Sequence, residues 1–401
     1  MTRPHDPLSG VVIADFGRVL ATPYATMLLA DLGADVIKIE RPDSGDDTRA
    51  WGPPYRQGQA TYNLAVNRNK RSVGLDLADP DGRRRAWELA RRADVIVENF
   101  RTGTMARYGL AYDQVRPVNP GIVYCSVTGF GPGDGAAMPG YDLLVQAVGG
   151  LMSITGSTAG EPTKVGVALV DVLAGLHAAV GILAALRHRD ATGEGQLVEV
   201  NLLSSLLSGM VNQSAGYTLA RAVPRRLGNR HPSIAPYEVY PTADRPIVIA
   251  VGNDRQFRQL CTVLDALWLS EDDRFRDNRR RVANVDLLGS EISERLARHP
   301  AAYWIDLLTT AGVPSGPVND IAEAFDLAAR LGLHPTVSLD GEDGPMSLPA
   351  NPISLSSTPP RYRRRPPGLG EHTAEVSSWL DTAEVPGWPD TLPTDEDQPC
   401  P

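Results

Sequence analysis

The stretch Val165–Val200, VGVALVDVLAGLHAAVGILAALRHRDATGEGQLVEV, decides how this chain folds. From Val172 to Leu186 nearly every residue is apolar or small. A helix that is apolar all round belongs inside a core or a membrane. This run is short for a span and contains His177, so it predicts a buried core helix, with His177 as a hydrogen-bonded core residue. Gly175, Ala178, Gly181 and Ala185 would let neighbouring elements approach closely, while Arg187, His188, Arg189 and then Gly193 mark its end. Gln196–Asn201 alternates like a strand, and Leu202–Ala220 has a helical pattern.

One carboxylate, Asp171, stands where that helix begins. Asp is among the best N-cap residues, so capping alone is one reading. The other follows from its apolar approach, Val167–Val170. A carboxylate in a dry setting, kept ionised by the helix end, can attack an activated acyl group.

The formal charge of −9 and pI near 5.3 speak against general nucleic-acid binding. Cys125, Cys261 and Cys400 form neither a CxxC pair nor a metal-spaced cluster, which suits a reducing cytoplasm and speaks against a disulfide framework or a zinc site. The opening MTRPHDPLSG has no apolar signal core, so a cytoplasmic location is expected.

Outward from the central stretch, GVVIADF (10–16) reads as a buried strand, followed by a helix opened near Pro23 and stopped by Gly33, and a strand over Val36–Glu40. This β-α-β order predicts a parallel sheet with a ligand crevice at the strand ends. NAD is not expected, because Gly17 is followed by Arg18 and Val19 rather than by GxGxxG. Residues 44–69 read as loop. Lys70 and Arg71 then fall in a turn before a strand, within reach of phosphates. Asp79 or Asp81 opens a helix whose Arg83–Arg85, Arg91 and Arg92 form a solvated face, and Val95–Val97 is a buried strand. GIVYCSV (121–127) is another, closed by TGFGPGDG, which reads equally as a phosphate cradle or a flexible active-site loop, and Tyr141 and Asp142 stand at the entrance of a short helix. Composition shifts at Arg221–Pro236, which opens a smaller domain with strands in Tyr237–Val251 and amphipathic helices at Asp254–Leu267 and Val285–Arg298. The last twenty residues alternate Asp, Glu and Pro and are expected to be loosely held.

Several segments occur together in one order: DFGRVLATPYATMLLADLGADVIKIERPDSGDDTR, NRNKRSVGLDL, ADVIVENFRTGTMARYGL, PGYDLLVQAVGGLMSITG, the Asp171 helix with TGEGQLVEV, AGVPSGPVND and GLGEHTAEV. In this combination the chain resembles the class III CoA-transferase family (CaiB/BaiF, including formyl-CoA transferase) over nearly its whole length. The resemblance implies an α/β fold: a Rossmann-like large domain, a smaller α+β domain, and two subunits interlocked as rings in a homodimer. On this chain the large domain would span 1–200, a linker 201–224, the small domain 225–325, and a return to the large domain 326–401.

The resemblance also implies the site. Asp171 would be the nucleophile, with CoA contacts at Leu20, Ala21, Arg41, Leu75, Asn99, Phe100, Arg101 and Arg107, and with Tyr141 and Asp142 near the acyl end. Guanidinium groups at Arg41 and Arg107 suit phosphates. Leu20 and Ala78 stand where formyl-CoA transferase has Gln and Lys, so formyl or oxalyl specificity does not follow. GNRHPSIAPYEVY (228–240) is similar instead to the branch that moves CoA from succinyl-CoA to another dicarboxylate, with Arg230 and His231 as candidates for a distal carboxylate. The implied activity is acyl-CoA:carboxylate CoA transfer through an aspartyl anhydride and an aspartyl-CoA thioester. Coenzyme A thioesters serve as substrates, with no metal, no permanently bound cofactor, and neither nucleic acid nor membrane as partner. Two rivals are a 2-methylacyl-CoA racemase on the same fold and a non-catalytic acyl-CoA-binding protein. The racemase branch has a His just before the Asp of the PGYD-like motif, where this chain has Tyr141.

Overall fold

The computed structural model describes residues 6–341 and 343–382, so Cys400 and the acidic tail lie outside the described residues. Two compact units are present. One holds the described residues up to Leu151, Val165–Arg221 and those from His334 onward; the other holds Met152–Lys164 and Ala222–Leu333.

The first unit is built on β1 (Val12–Asp15), α1 (Ala21–Asp31), β2 (Asp35–Glu40), β3 (Lys70–Gly74), α2 (Pro80–Arg92), β4 (Val95–Glu98), β5 (Val123–Thr128), α3 (Asp142–Val148), α4 (Leu169–Thr192) and β6 (Leu197–Asn201). The strands form one sheet in the order β3-β2-β1-β4-β5-β6, with every pairing parallel. Strands buried on both faces read as continuous apolar runs, which is why VVIA and VIV were legible. The order reverses between β1 and β4, and a crevice opens outside their carboxyl ends. Asp79 caps α2 with its carboxylate. The expected loop at 44–69 contains a short 3-10 turn, a two-stranded hairpin and the short helix Thr61–Ala65.

The long helix α4 corrects one expectation. It buries Val170, Ala174, Gly175, Ala178, Ala179, Ile182, Ala185 and Leu186. Its opposite stripe is open: Leu176 is 41% exposed, Val180 65% and Leu183 38%. His177 lies on this exposed stripe, not in the core. Length and hydropathy alone would let α4 cross a membrane, yet its buried face packs on α1, β5 and β6. The linker expected at 201–224 is largely two helices, α5 (Leu202–Gly209) and α6 (Val211–Ala220), which belong to the first unit. Leu202 and Leu206 anchor the first of them in the core.

The second unit has its own apolar core. It contains β7 (Tyr237–Tyr240), β8 (Ile247–Ala250), α7 (Asp254–Val263), α8 (Val285–Leu296), α9 (Ala301–Thr310), β9 (Ser315–Pro317) and α10 (Ile321–Arg330). Its antiparallel sheet runs β9-β8-β7.

The chain then rejoins the first unit through β10 (Thr336–Leu339), β11 (Met346–Pro349) and α11 (Thr373–Leu380). The tie is the Asn67–Ser72 segment. Arg68 is buried with Asp31 at 2.7 Å and donates to the Pro349 carbonyl. Asn69 donates to the Arg361 carbonyl and accepts from the Arg363 and Arg364 N–H groups. Asn351 donates to Asp31.

Gly175 permits the contact between α4 and α1. A Cβ there would lie 2.5 Å from the Ala21 carbonyl oxygen. Alanine would gain up to ~1 kcal/mol of helix propensity. The obstacle, however, is backbone that cannot swing aside, and overpacking costs ~1–3 kcal/mol. Gly175→Ala should therefore lower unfolding stability by ~1–2 kcal/mol in a denaturant titration, whereas propensity alone would raise it.

Candidate active site

The switch-point crevice contains a cleft of about 1000 Å³, open to solvent, with Asp171 in its lining. Three segments converge there: the turn after β1 (Arg18–Ala21), the end of β4 (Asn99–Thr102) and the glycine loop from Val127 to Tyr141. The glycine loop is pinned where Gly129 and Gly140 cross. A Cβ built on Gly129 would sit 2.5 Å from the Gly140 Cα, so neither position tolerates a side chain without a shift. Asn99 fixes the β1 turn by accepting from the Arg18 N–H at 2.9 Å and donating to the Arg18 carbonyl at 2.8 Å.

Asp171 is not the N-cap of α4. The cap position is Ala168, and Asp171 is the third helical residue. The capping carboxylate is Asp142, whose Oδ1 accepts from the Val170 N–H at 2.8 Å and the Asp171 N–H at 3.4 Å. Asp142 Oδ2 also accepts from Gln146, whose side-chain oxygen takes the Val165 N–H. One carboxylate thus satisfies the helix end and stands beside a second. The consequence reverses the expectation that the helix would keep Asp171 readily ionised. Desolvation first, and the Asp142 charge second, push the Asp171 carboxyl up to about 7. The approach to Asp171 is also less dry than expected, since Gly166 and Val167 are exposed.

A neighbouring cleft of about 770 Å³ is lined by Phe16, Arg41, Leu75, Phe100 and Tyr108, among others. The expected CoA contacts divide between the two. Leu20, Ala21, Asn99, Arg101 and Tyr141 line the first, Arg41 and Leu75 the second, and Phe100 both. Arg107 is exposed at the end of a short helix and lines neither.

Lys70 and Arg71 are not phosphate ligands. Lys70 is fully buried in β3, donating to Asp15, the Pro23 carbonyl and Asn67. Arg71 is paired with Asp35 and Glu375. Arg230 is likewise occupied, bridging Glu238 at 3.1 Å and Asp286 at 2.6 Å. His231 accepts the Ser233 N–H and lies against Tyr237.

Sequence reasoning missed Arg18, Asp47 and the glycine-loop side chains Phe130 and Met138 in the first cleft. It also missed Tyr62. Burial first, then the charges of Asp171, Asp142 and Asp46, push its phenol up to about 12. No local pattern distinguishes Tyr62; only the fold of the 44–69 segment brings it to these carboxylates. Burial raises both described thiols, Cys125 and Cys261, to about 12, which leaves them protonated at neutral pH.

A doubly wound parallel sheet, with a carboxylate under a glycine loop at its switch point, defines the class, and the chain belongs to CoA-transferase family III, whose model matches residues 8–373. It is an enzyme of the class III CoA-transferases. It is 44% identical over 396 residues to a succinate–glutarate CoA-transferase of Agrobacterium fabrum, covering 96% of this chain and 98% of that one. It is 40% identical over 377 residues to an acetyl-CoA:oxalate CoA-transferase of Acetobacter aceti, covering 93% and 96%. A crystal structure of a CaiB/BaiF family protein from Brucella suis superposes with a TM-score of 0.83 at 39% identity, covering 94% of this chain and 99% of that one.

The raised Asp171 group has a signed consequence for stability. The folded state holds a proton between the unfolded value of 3.8 and about 7, so ionising Asp171 weakens the fold progressively across that window. Asp171→Asn removes this loss. Its gain in unfolding free energy over the parent should be absent below pH ~4, grow through pH 4–7 and level above 7 at ~2–4 kcal/mol. Thermal or urea unfolding at a series of pH values measures it. A gain independent of pH would mean that Asp171 titrates normally.

Proposed function

We propose that this enzyme is an acyl-CoA:carboxylate CoA-transferase that moves CoA from a donor such as succinyl-CoA to a free carboxylic or dicarboxylic acid, with Asp171 as its nucleophile. The observation that carries the reading is the raised Asp171 carboxyl in the glycine-loop cleft. A carboxylate with a pKa near neutrality is more nucleophilic than an ordinary one and is still largely ionised above pH 7. Asp171 attacks the thioester carbonyl, the C–S bond breaks, and CoA leaves as thiolate, a good leaving group with a thiol pKa of ~8.5. The thiolate then attacks the Asp171 carbonyl of the mixed anhydride, releasing the donor acid and leaving an aspartyl-CoA thioester. The acceptor carboxylate attacks that thioester, and the returning thiolate takes the acceptor's acyl group and frees Asp171. Backbone N–H groups of the glycine loop are the candidates for holding each oxyanion.

Arg41, Leu75 and Phe100 in the second cleft are assigned to the nucleotide end of CoA, and Leu20, Ala21, Asn99, Arg101 and Tyr141 to its acyl end. The names of the relatives above, which join succinate with glutarate and acetyl-CoA with oxalate, support small acids as the exchanged groups. Racemisation is disfavoured by the residue at 141. No histidine lines the first cleft among the described residues, and a phenol offers no counterpart to the imidazole that the racemase branch uses on the α-proton.

The working form in this reading is a homodimer in the cytoplasm, its subunits interlocked as the resemblance implies, with domains near the boundaries given above. What supports a second copy is the open apolar surface of the first unit, where Leu176, Val180, Val211 and Leu219 are 41%, 65%, 70% and 86% exposed. Large apolar side chains left open in this number on one unit are what an interaction site would cover. Sedimentation at nanomolar concentration should show a dimer with no monomer.

The test of the chemistry is to incubate the enzyme with succinyl-CoA and no acceptor, then add hydroxylamine. A hydroxamate should form on the peptide containing Asp171, and Asp171→Ala should lose CoA transfer by at least ~100-fold. A full-rate Asp171→Ala variant would move the nucleophile elsewhere. kcat/KM should rise with pH through about 7 and then level, because the ionised form reacts. Asp142→Asn keeps an oxygen for the α4 cap but removes the neighbouring charge, so its acid limb should move to lower pH.

A further inference from the structure

Arg18 and Asp47 stand where the two clefts meet. Arg18 lines both clefts, and Asp47 lines the first. The Arg18 backbone is clamped by Asn99, but its guanidinium is poorly used. It lies over the Phe100 ring at 5.0 Å and reaches Asp47 only at 3.5 Å, and its Nε is buried without a hydrogen-bond partner. Asp47 is shared. Its other oxygen holds Arg41, a residue of the second cleft, at 2.7 Å. One carboxylate therefore sits between two guanidinium groups at the seam, and all three side chains are substantially open to solvent, at 38%, 42% and 52% for Arg18, Asp47 and Arg41.

Two cations with a buried unpaired donor are more than one exposed carboxylate can satisfy, and guanidinium groups bind phosphate oxygens in pairs. We propose that Asp47 is a resident counter-ion that holds Arg18 and Arg41 until the diphosphate of an incoming CoA thioester displaces it, so that this carboxylate weakens CoA binding and eases product release. The inference rests on reading the two clefts as a CoA-thioester site. It adds Arg18 as a phosphate ligand and gives Asp47 a role opposite to that of a binding residue. The exchange is affordable because solvent-exposed ion pairs are weak, whereas the doubly charged diphosphate can engage both arginines.

Calorimetric titration of free CoA into the parent enzyme, Asp47→Asn, Asp47→Ser and Arg18→Gln/Asp47→Asn tests it, with pantetheine, which has no phosphate, as the control ligand. Asp47→Asn and Asp47→Ser should each tighten CoA binding by ~3–5-fold, the scale of one exposed pair. The added Arg18→Gln change should abolish that gain, and pantetheine should be indifferent to both Asp47 substitutions. CoA binding that is unchanged or weaker in both Asp47 variants overturns the proposal while leaving the transferase reading intact. Equal tightening of pantetheine overturns the assignment to phosphate. A parent enzyme that binds no CoA overturns the transferase reading and this inference with it.

Discussion

The crevice depends on two lysines buried beneath it. Lys38 donates to the Gly17 carbonyl at 2.7 Å and to Asp46 at 2.9 Å, and both side chains of that pair are shut off from water. Lys70 pairs with Asp15, which also accepts the Thr26 hydroxyl and, through its other oxygen, the Gly17 N–H. Burial outweighs the attraction of Asp15 and pulls Lys70 down to about 8. The charges of Asp46, Asp15 and Glu40 overcome the opposing burial and raise Lys38 above its ordinary value. Buried pairs of this kind are poor sources of stability, but breaking one is severe. What they supply here is position. Asp46 takes the Val19 N–H with both oxygens while Val19 sits at a φ of 67°, a left-handed conformation that a β-branched residue adopts only when its surroundings impose it. The turn that walls the Asp171 cleft is thus set by groups from β1, β2 and the loop beyond β2.

A second economy lies in Asp142. The same carboxylate that satisfies the first N–H groups of α4 raises the proton affinity of the group it stands beside. Satisfying a helix end normally stabilises, while juxtaposing two carboxylates normally destabilises. Here both effects come from one side chain, and the loss is borne at Asp171. Cys125 is buried with its proton held, and Lys70 is tied to Asp15, so neither is a free nucleophile.

The parallel sheet and its crevice, and Asp171 as the candidate to look for there, were legible because they follow from local pattern. Apolar runs such as VVIA and VIV mark strands buried on both faces, Gly33 and Gly193 punctuate helices, and an acid at the head of an apolar helix is conspicuous. Other assignments failed for a common reason. Lys70 and Arg71 look available in the sequence, but a charged side chain's partner is set by residues remote along the chain: Asp15 and Glu375. The same holds in reverse for Tyr62 and Arg18, which carry no local signature.

The sequence by itself therefore determined the main elements, their parallel pairing and Asp171 as the candidate nucleophile, since backbone periodicity and residue type are local properties. Only the tertiary structure decided how that group ionises and which charges remain for a ligand. Whether Asp171 caps its helix or is repelled by Asp142, and whether an arginine faces the cleft or a buried acid, depends on distances of a few ångströms between segments far apart in the chain. Electrostatic energies change most steeply over that range. The apolar face of α4 makes the same point: composition fixed its hydrophobicity, but only the fold fixed which side it turns away from its own core.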